Sequence, residues 1–159
     1  MPVDINEVIS VQVMNGKVQY LSHLPVASAR ETTRIAPPNP YRLDRNCEGS
    51  GLAIGRLTFP WGIGVHAKSE LVFDVDGRFN RFCATIGLDA RAGREGTVSF
   101  RVLGDGREIY RSPVLKGSDA PVEVDAPIAG VKQLTLGVND VGGNDLGAAA
   151  NWGAARVVR

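Results

Sequence analysis

The sequence predicts an all-β chain, an antiparallel β-sandwich or jelly roll, on three observations. Apolar residues recur at every second position in short runs: Leu71-Phe73-Val75, Phe82-Ala84-Ile86-Leu88, Val98-Phe100-Val102 and Leu134-Leu136-Val138. A period of two buries one face of a strand and wets the other. Turn formers separate such runs at Asn15-Gly16, Asp76-Gly77 and Gly104-Asp105-Gly106, and these favour tight reversals. No long stretch sustains a helical period, so the chain reads as about eight to ten short strands at intervals of roughly eight to twelve residues.

The stretch from Trp61 to Asp89 organises the rest. Its two alternating runs flank Asp76-Gly77 and predict an antiparallel hairpin at the centre of the protein. Just before it, Gly62 and Gly64 bracket Ile63 and lead into Val65-His66-Ala67, a compact entry that calls for positive φ or close backbone approach.

Upstream, Ile9, Val11 and Val13, the Asn15-Gly16 turn, and Val18 and Tyr20 predict a second hairpin. Ala27 to Ile35 is either a short helix or an irregular crossing and is assigned to a loop, with Pro37, Pro38 and Pro40 stopping any regular element after it. Leu52, Ile54 and Leu57 suggest one short strand. After the centre, Thr97 to Leu103 and Arg107 to Ser112 reverse at Gly104-Asp105-Gly106, with Ile109 the clearest inward candidate. Val122 to Ala126 is a brief strand. The alanine-rich end from Ala148 suits a helix by propensity, but Gly153 and Val157-Val158 favour a loop running into a final strand.

At 159 residues, with 43% hydrophobic and 22% charged residues, the chain is sized for one domain with its own core. Residues 1–40 read as an N-terminal hairpin and loop packing on a body formed by 41–159. Eighteen basic and 17 acidic residues, interspersed to a net charge of +1, form no electrostatic footprint for nucleic acid and no polybasic patch. No apolar run is long enough for membrane insertion, and no leader is visible at the N-terminus. An exported protein would therefore carry its signal outside this chain. Cys47 and Cys83 show no framework or zinc spacing, so both are expected as free thiols.

The inventory for catalysis is thin. With only His23 and His66, a multi-histidine metal site is hard to assemble, and no nucleophile elbow, HExxH or phosphate loop is present. A carboxylate pair for glycoside hydrolysis rests on nothing more specific than the number of acidic residues. Binding is better supported. Sugars offer hydroxyls to planar donors and acceptors, and C–H patches to aromatic faces; Trp61 and Trp152 are the candidate platforms, with packing in the core as the competing role for each. His66 fits either a ligand contact or a structural histidine holding its loop. Asp140, Asn144 and Asp145, spaced by glycines near Asn139, have the oxygen-rich character of a calcium loop, though an ordinary solvated turn uses the same residues. Arg91, Arg94 and Arg107 read as solvent-facing, and Glu95 and Asp105 as ordinary turn residues.

Taken together, GIGVHAKSELVFDVDG, FNRFCATIGLD, GTVSFRVLGDGREIYRSPVL, GVKQLTLGVND and the closing NWGAARVVR make the chain from about Tyr41 onward resemble the NPCBM family of carbohydrate-binding modules associated with glycoside hydrolases. That resemblance implies a galactose-binding-like β-sandwich, non-catalytic, bound to galactose-type or related glycans at loops on one end. It implies a larger bacterial surface or secreted parent protein, hence an extracytoplasmic location, and in some relatives a structural calcium ion. By position His66 matches the GVH motif, Asp89 the GLD motif and Trp152 the closing motif, so the expected ligand-binding residues are Trp152, Asn151, His66, Asp89 and Trp61. One departure stands out. The family commonly reads DHADW where this chain has Ala148-Ala149-Ala150-Asn151-Trp152. Three alanines offer no side-chain hydrogen bonds, which opens a second expectation: a structural or protein-interaction sandwich with a degenerate sugar site.

Overall fold

The computed structural model describes residues 17–32, 41–91, 95–142 and 148–159. Among these residues the regular structure is β-strand apart from a 3-10 turn at Leu21–His23. The strands are β1 (Val18–Tyr20), β2 (Ser28–Glu31), β3 (Arg42–Leu43), β4 (Leu52–Ile54), β5 (Leu57–Phe59), β6 (Gly62–His66) and β7 (Ser69–Asp74). They continue with β8 (Arg81–Leu88), β9 (Thr97–Gly104), β10 (Arg107–Arg111), β11 (Leu115–Lys116), β12 (Val122–Pro127), β13 (Gln133–Asp140) and β14 (Ala149–Val158).

Twelve of these strands form two antiparallel sheets, as the alternation requires. The front sheet runs β12-β8-β14-β6-β3, with β1 joining β14; the back sheet runs β10-β9-β13-β7-β2, with β11 joining β9. Their inward residues make one core, including Ile63, Val65, Phe82, Ile86 and Trp152 from the front and Phe73, Phe100, Val102, Leu134 and Leu136 from the back.

The central hairpin is corrected. β7 pairs with β13 and β2, whereas β8 pairs with β12 and β14, so the two runs lie in opposite layers. Asp76 and Gly77 do make the tight turn, with φ of 56° and 70° and an Arg78 N–H donating to Val75 O at 3.1 Å. But the Asp76 and Gly77 N–H groups donate to Lys132 and Val131 carbonyls, tying the turn to the segment before β13. Residues 78–80 then cross the roughly 10 Å between sheets. Two alternating runs around Asp-Gly look alike in sequence whether they pair with each other or with strands elsewhere.

Other assignments shift for similar reasons. Ser28–Glu31, expected as loop, is an edge strand on β7; all four residues are exposed, so no apolar alternation marks them. Leu52 to Leu57 is two strands, a small ribbon of β4 and β5. The expected final strand is present but begins earlier, with no loop before Gly153: Ala149 to Val158 form one ten-residue strand, its small side chains suited to a crowded central position. The β9–β10 reversal is as expected, with Asp105 and Gly106 at φ of 50° and 82°, and Ile109 packs at the margin of the core. Val18 to Tyr20 pairs with β14, while the expected partner at residues 9–13, the Asn15-Gly16 turn and the prolines at 37, 38 and 40 lie outside the described residues. Cys47 is buried, Cys83 half-buried, and both are free.

Candidate functional site

Glycines shape the front sheet. In the register, Gly64, Asn151 and Gly87 sit opposite one another across β6, β14 and β8, and Gly62 sits opposite Gly153 in the next row. These glycines clear a trough that the segment 44–61 fills. A β-carbon on Gly64 would lie 2.5 Å from Asn46 Cα, one on Gly87 2.5 Å from Ile54 Cγ2, and one on Gly153 2.8 Å from the Phe59 ring. The expectation of close backbone approach at Gly62 and Gly64 is met here: a β-carbon on Gly62 would lie 2.5 Å from Trp152 O.

Period-two alternation along β14 then decides Asn151 and Trp152. Asn151 points into the trough, its Nδ2 donating to Asp89 Oδ2 at 2.7 Å and to Ala53 O at 3.0 Å. Asp89 Oδ1 accepts from Asn46 Nδ2 at 3.3 Å and from the Arg91 N–H at 3.0 Å. Asn46 folds its own loop, its Oδ1 accepting the Glu48 and Ser50 N–H groups. Asn46, Asp89 and Asn151 are 1%, 1% and 0% exposed, so this network fastens the 44–54 segment to the sheet. Asp89 and Asn151, expected to present polar groups to a ligand, thus turn those groups toward the 44–54 segment. Cys47 is sealed beside them, where burial pushes its thiol up to about 12, with Glu48 and Asp89 adding to the effect.

Trp152 points the other way, into the core. It is 0% exposed, edge-on to Phe100 at 5.0 Å and Phe82 at 6.1 Å between centroids. With no face in solvent it takes the core-packing role, the one that competed with a sugar platform in the sequence.

His66 ends β6, paired with Ala149, while the Asp89 N–H donates to Ala149 O at 2.9 Å. His66, Ala149 and Asp89 thus meet side by side at one end of the front sheet. His66 is half-buried there. At this end the Val141 N–H donates to Thr97 O at 2.9 Å. Ala148, Ala149 and Ala150 are all buried.

Asp140 ends β13 at this same end, its Oδ1 accepting the Gly142 N–H at 3.1 Å. Asn144 and Asp145, like Arg94, lie outside the described residues. Among the described residues no group of three or more His, Cys, Asp or Glu side chains is placed to hold a metal ion. Of the three residues expected in a calcium loop, Asp140 is the one among the described residues.

The family profile of the NPCBM/NEW2 domain matches residues 17–158. The chain belongs to the NPCBM/NEW2 domain family. The CBM51 module from Clostridium perfringens GH95, solved in complex with methyl-galactose, superposes with a TM-score of 0.80 at 28% identity, covering 89% of this chain and 99% of that one. The CBM51-2 and INT domains of Clostridium perfringens ZmpB share the fold, with a TM-score of 0.83 at 23% identity over 90% of this chain and 32% of that one. A Renibacterium salmoninarum protein named for endo-alpha-N-acetylgalactosaminidase is 37% identical over 109 residues, 69% of this chain but 7% of that protein. Alpha-1,3-galactosidase B of Akkermansia muciniphila is 32% identical over 107 residues, 65% of this chain and 14% of the enzyme. The chain thus spans a small part of these curated relatives. As an NPCBM/NEW2 domain it is a non-catalytic carbohydrate-binding module, a galactose-binding-like β-sandwich.

Two residues of this NPCBM module escape sequence reading. Asn46 sits in the polar run YRLDRNCEGS, and its signal was a side chain able to mimic a turn just before Gly49. Tyr20, at the end of β1, stands 4.6 Å from Trp61 between ring centroids. Nothing in the spacing joins residues forty positions apart. Trp61 itself is half-buried and lies just before β6, away from His66.

Proposed function

We propose that this module holds galactose-type or related glycans at the loop end built around His66, and that it serves a larger extracytoplasmic protein as its attachment to polysaccharide. The observation that carries this reading is the convergence of His66, Ala149 and Asp89 across three neighbouring strands in a chain of this family. The relatives named for galactosidase chemistry and the module solved with methyl-galactose support the ligand class. No helix among the described residues is long and apolar enough to cross a membrane. A single shallow site implies dissociation constants of roughly micromolar to millimolar, with retention supplied by several modules acting together. Calorimetric titration with methyl galactoside tests this: saturable binding that His66→Ala removes is expected.

A second reading, a structural or protein-interaction sandwich, draws support from Asp89 and Asn151 being engaged internally and from the buried alanine run. Absence of binding across a broad glycan panel by the folded protein would favour it. The calcium proposal stays with Asp140, Asn144 and Asp145 and rests mainly on the 143–147 segment. A melting temperature unchanged by chelator would remove it.

A further inference from the structure

We propose a second saccharide-binding surface, distinct from the loop end, where β1 meets the start of β6: Trp61 is its stacking platform, and Asp44 and His23 are its hydroxyl partners. The carbohydrate reading above supplies only the ligand class; the site stands on its own geometry.

β14 is flanked on one side first by β6 and then by β1, and Tyr20, His23 and Trp61 gather at the junction. The Trp61 ring stands 4.6 Å from Tyr20 and 5.5 Å from His23, edge-on to the latter. Tyr20 is nearly buried and belongs to the floor, but Trp61 is half-buried and His23 exposed, and neither is part of the core cluster. A large aromatic kept at the surface on a firm backing suits the C–H face of a sugar ring.

The platform is held in place from below. Trp61 O accepts the Ala154 N–H at 2.8 Å, and the Asp44 N–H donates to Gly62 O at 2.8 Å. Asp44 Oδ1 accepts the Gly62 N–H at 3.1 Å, which ties the carboxylate to the backbone of the residue after Trp61. Asp44 also adopts φ of 61°, a conformation uncommon outside glycine and often retained at binding sites.

The polar gap is the telling feature. Asp44 Oδ2 and His23 Nε2 are 3.9 Å apart, with side chains 30% and 42% exposed. That is too long for a direct hydrogen bond. A hydroxyl oxygen about 2.8 Å from each fits between them, donating to the carboxylate and meeting the imidazole nitrogen. One hydroxyl bridged and one ring face stacked is the minimum that orients a hexose. His66 is five residues along the strand from Trp61, about 16 Å at strand spacing, so a single sugar ring cannot engage both places.

The chain contains two tryptophans, and Trp152 is wholly buried, so acrylamide quenching of fluorescence reports on Trp61. The experiment titrates the 159-residue protein with methyl galactoside and with N-acetylglucosamine, following Trp61 quenching and calorimetric heat in parallel. The expected result is saturable protection of Trp61 that persists in His66→Ala. It should weaken about tenfold or more in His23→Ala and in Asp44→Asn, which keeps the acceptor for Gly62. Trp61→Ala should lose the corresponding heat while melting cooperatively. Calorimetric binding that His66→Ala abolishes, with Trp61 quenching unchanged throughout, would overturn this site and leave the loop-end reading standing. No binding on either readout would overturn both.

Discussion

The side-chain amide of Asn151 donates to the Asp89 carboxylate at 2.7 Å, with both residues all but sealed from water. The pair clamps the 44–54 segment to the sheet. Asn151→Ala removes a donor to a buried charge and should destabilise the fold by about 2–3 kcal/mol, read as a lower urea midpoint. An unchanged midpoint would mean the segment is held by packing alone.

Phe59 covers Gly153, and the two should behave as one unit. Gly153→Ala places a methyl against the ring and should cost about 1–3 kcal/mol. In a Phe59→Ala background the same substitution should cost at least about 1 kcal/mol less. Denaturation of the four proteins of this cycle checks the coupling; strict additivity would refute the flap-in-trough packing.

Trp152→Ala opens a cavity between Phe82 and Phe100 and should cost about 3–5 kcal/mol. Calorimetry on the remaining folded fraction should give an unchanged glycan dissociation constant. A stable variant that binds glycan poorly would return Trp152 to the binding site.

Cys47 carries a pH dependence of known sign. Its thiol is held up to about 12 in the folded protein, against about 8.5 in an unfolded chain. Below the unfolded value the thiol is neutral in both states and its burial is without penalty. As pH rises above that value, only the unfolded chain ionises, so stability falls, by at most about 1.4 kcal/mol per pH unit. Urea titrations between pH 8 and 11 should show a steeper decline for the native sequence than for Cys47→Ala. Equal slopes would place the thiol in contact with water.

The architecture was legible where strands carry their own signature. Phe100 and Val102, or Leu134 and Leu136, alternate because one face of each strand meets the core, and Asp105-Gly106 turns as its φ preferences dictate. Partnership was not legible: Leu71-Phe73 and Phe82-Ala84 have the same pattern as a hairpin, and only distant segments decide which layer each joins, 133–140 for the first and 122–127 with 149–158 for the second. The site divides in the same way. The motif positions His66, Asp89 and Asn151 were found, but the direction of a side chain depends on register, which separates Asn151 in the trough from Trp152 in the core. The glycines at 62 and 64 announced a close approach without naming what approaches. The gap between His23 and Asp44 lies between two segments with no shared sequence pattern, brought together only by the fold.

The position of β14 has a consequence for how the protein is made. This strand lies between β6 and β8 and also receives β1, yet it follows all three along the chain. As the chain emerges N-terminus first, the front layer must wait with its middle rung missing, β6 and β8 each offering an open edge, until residues 149–158 arrive. Closure of that layer is therefore the slow, long-range step, and the interval before it is when an accompanying chaperone has most to protect.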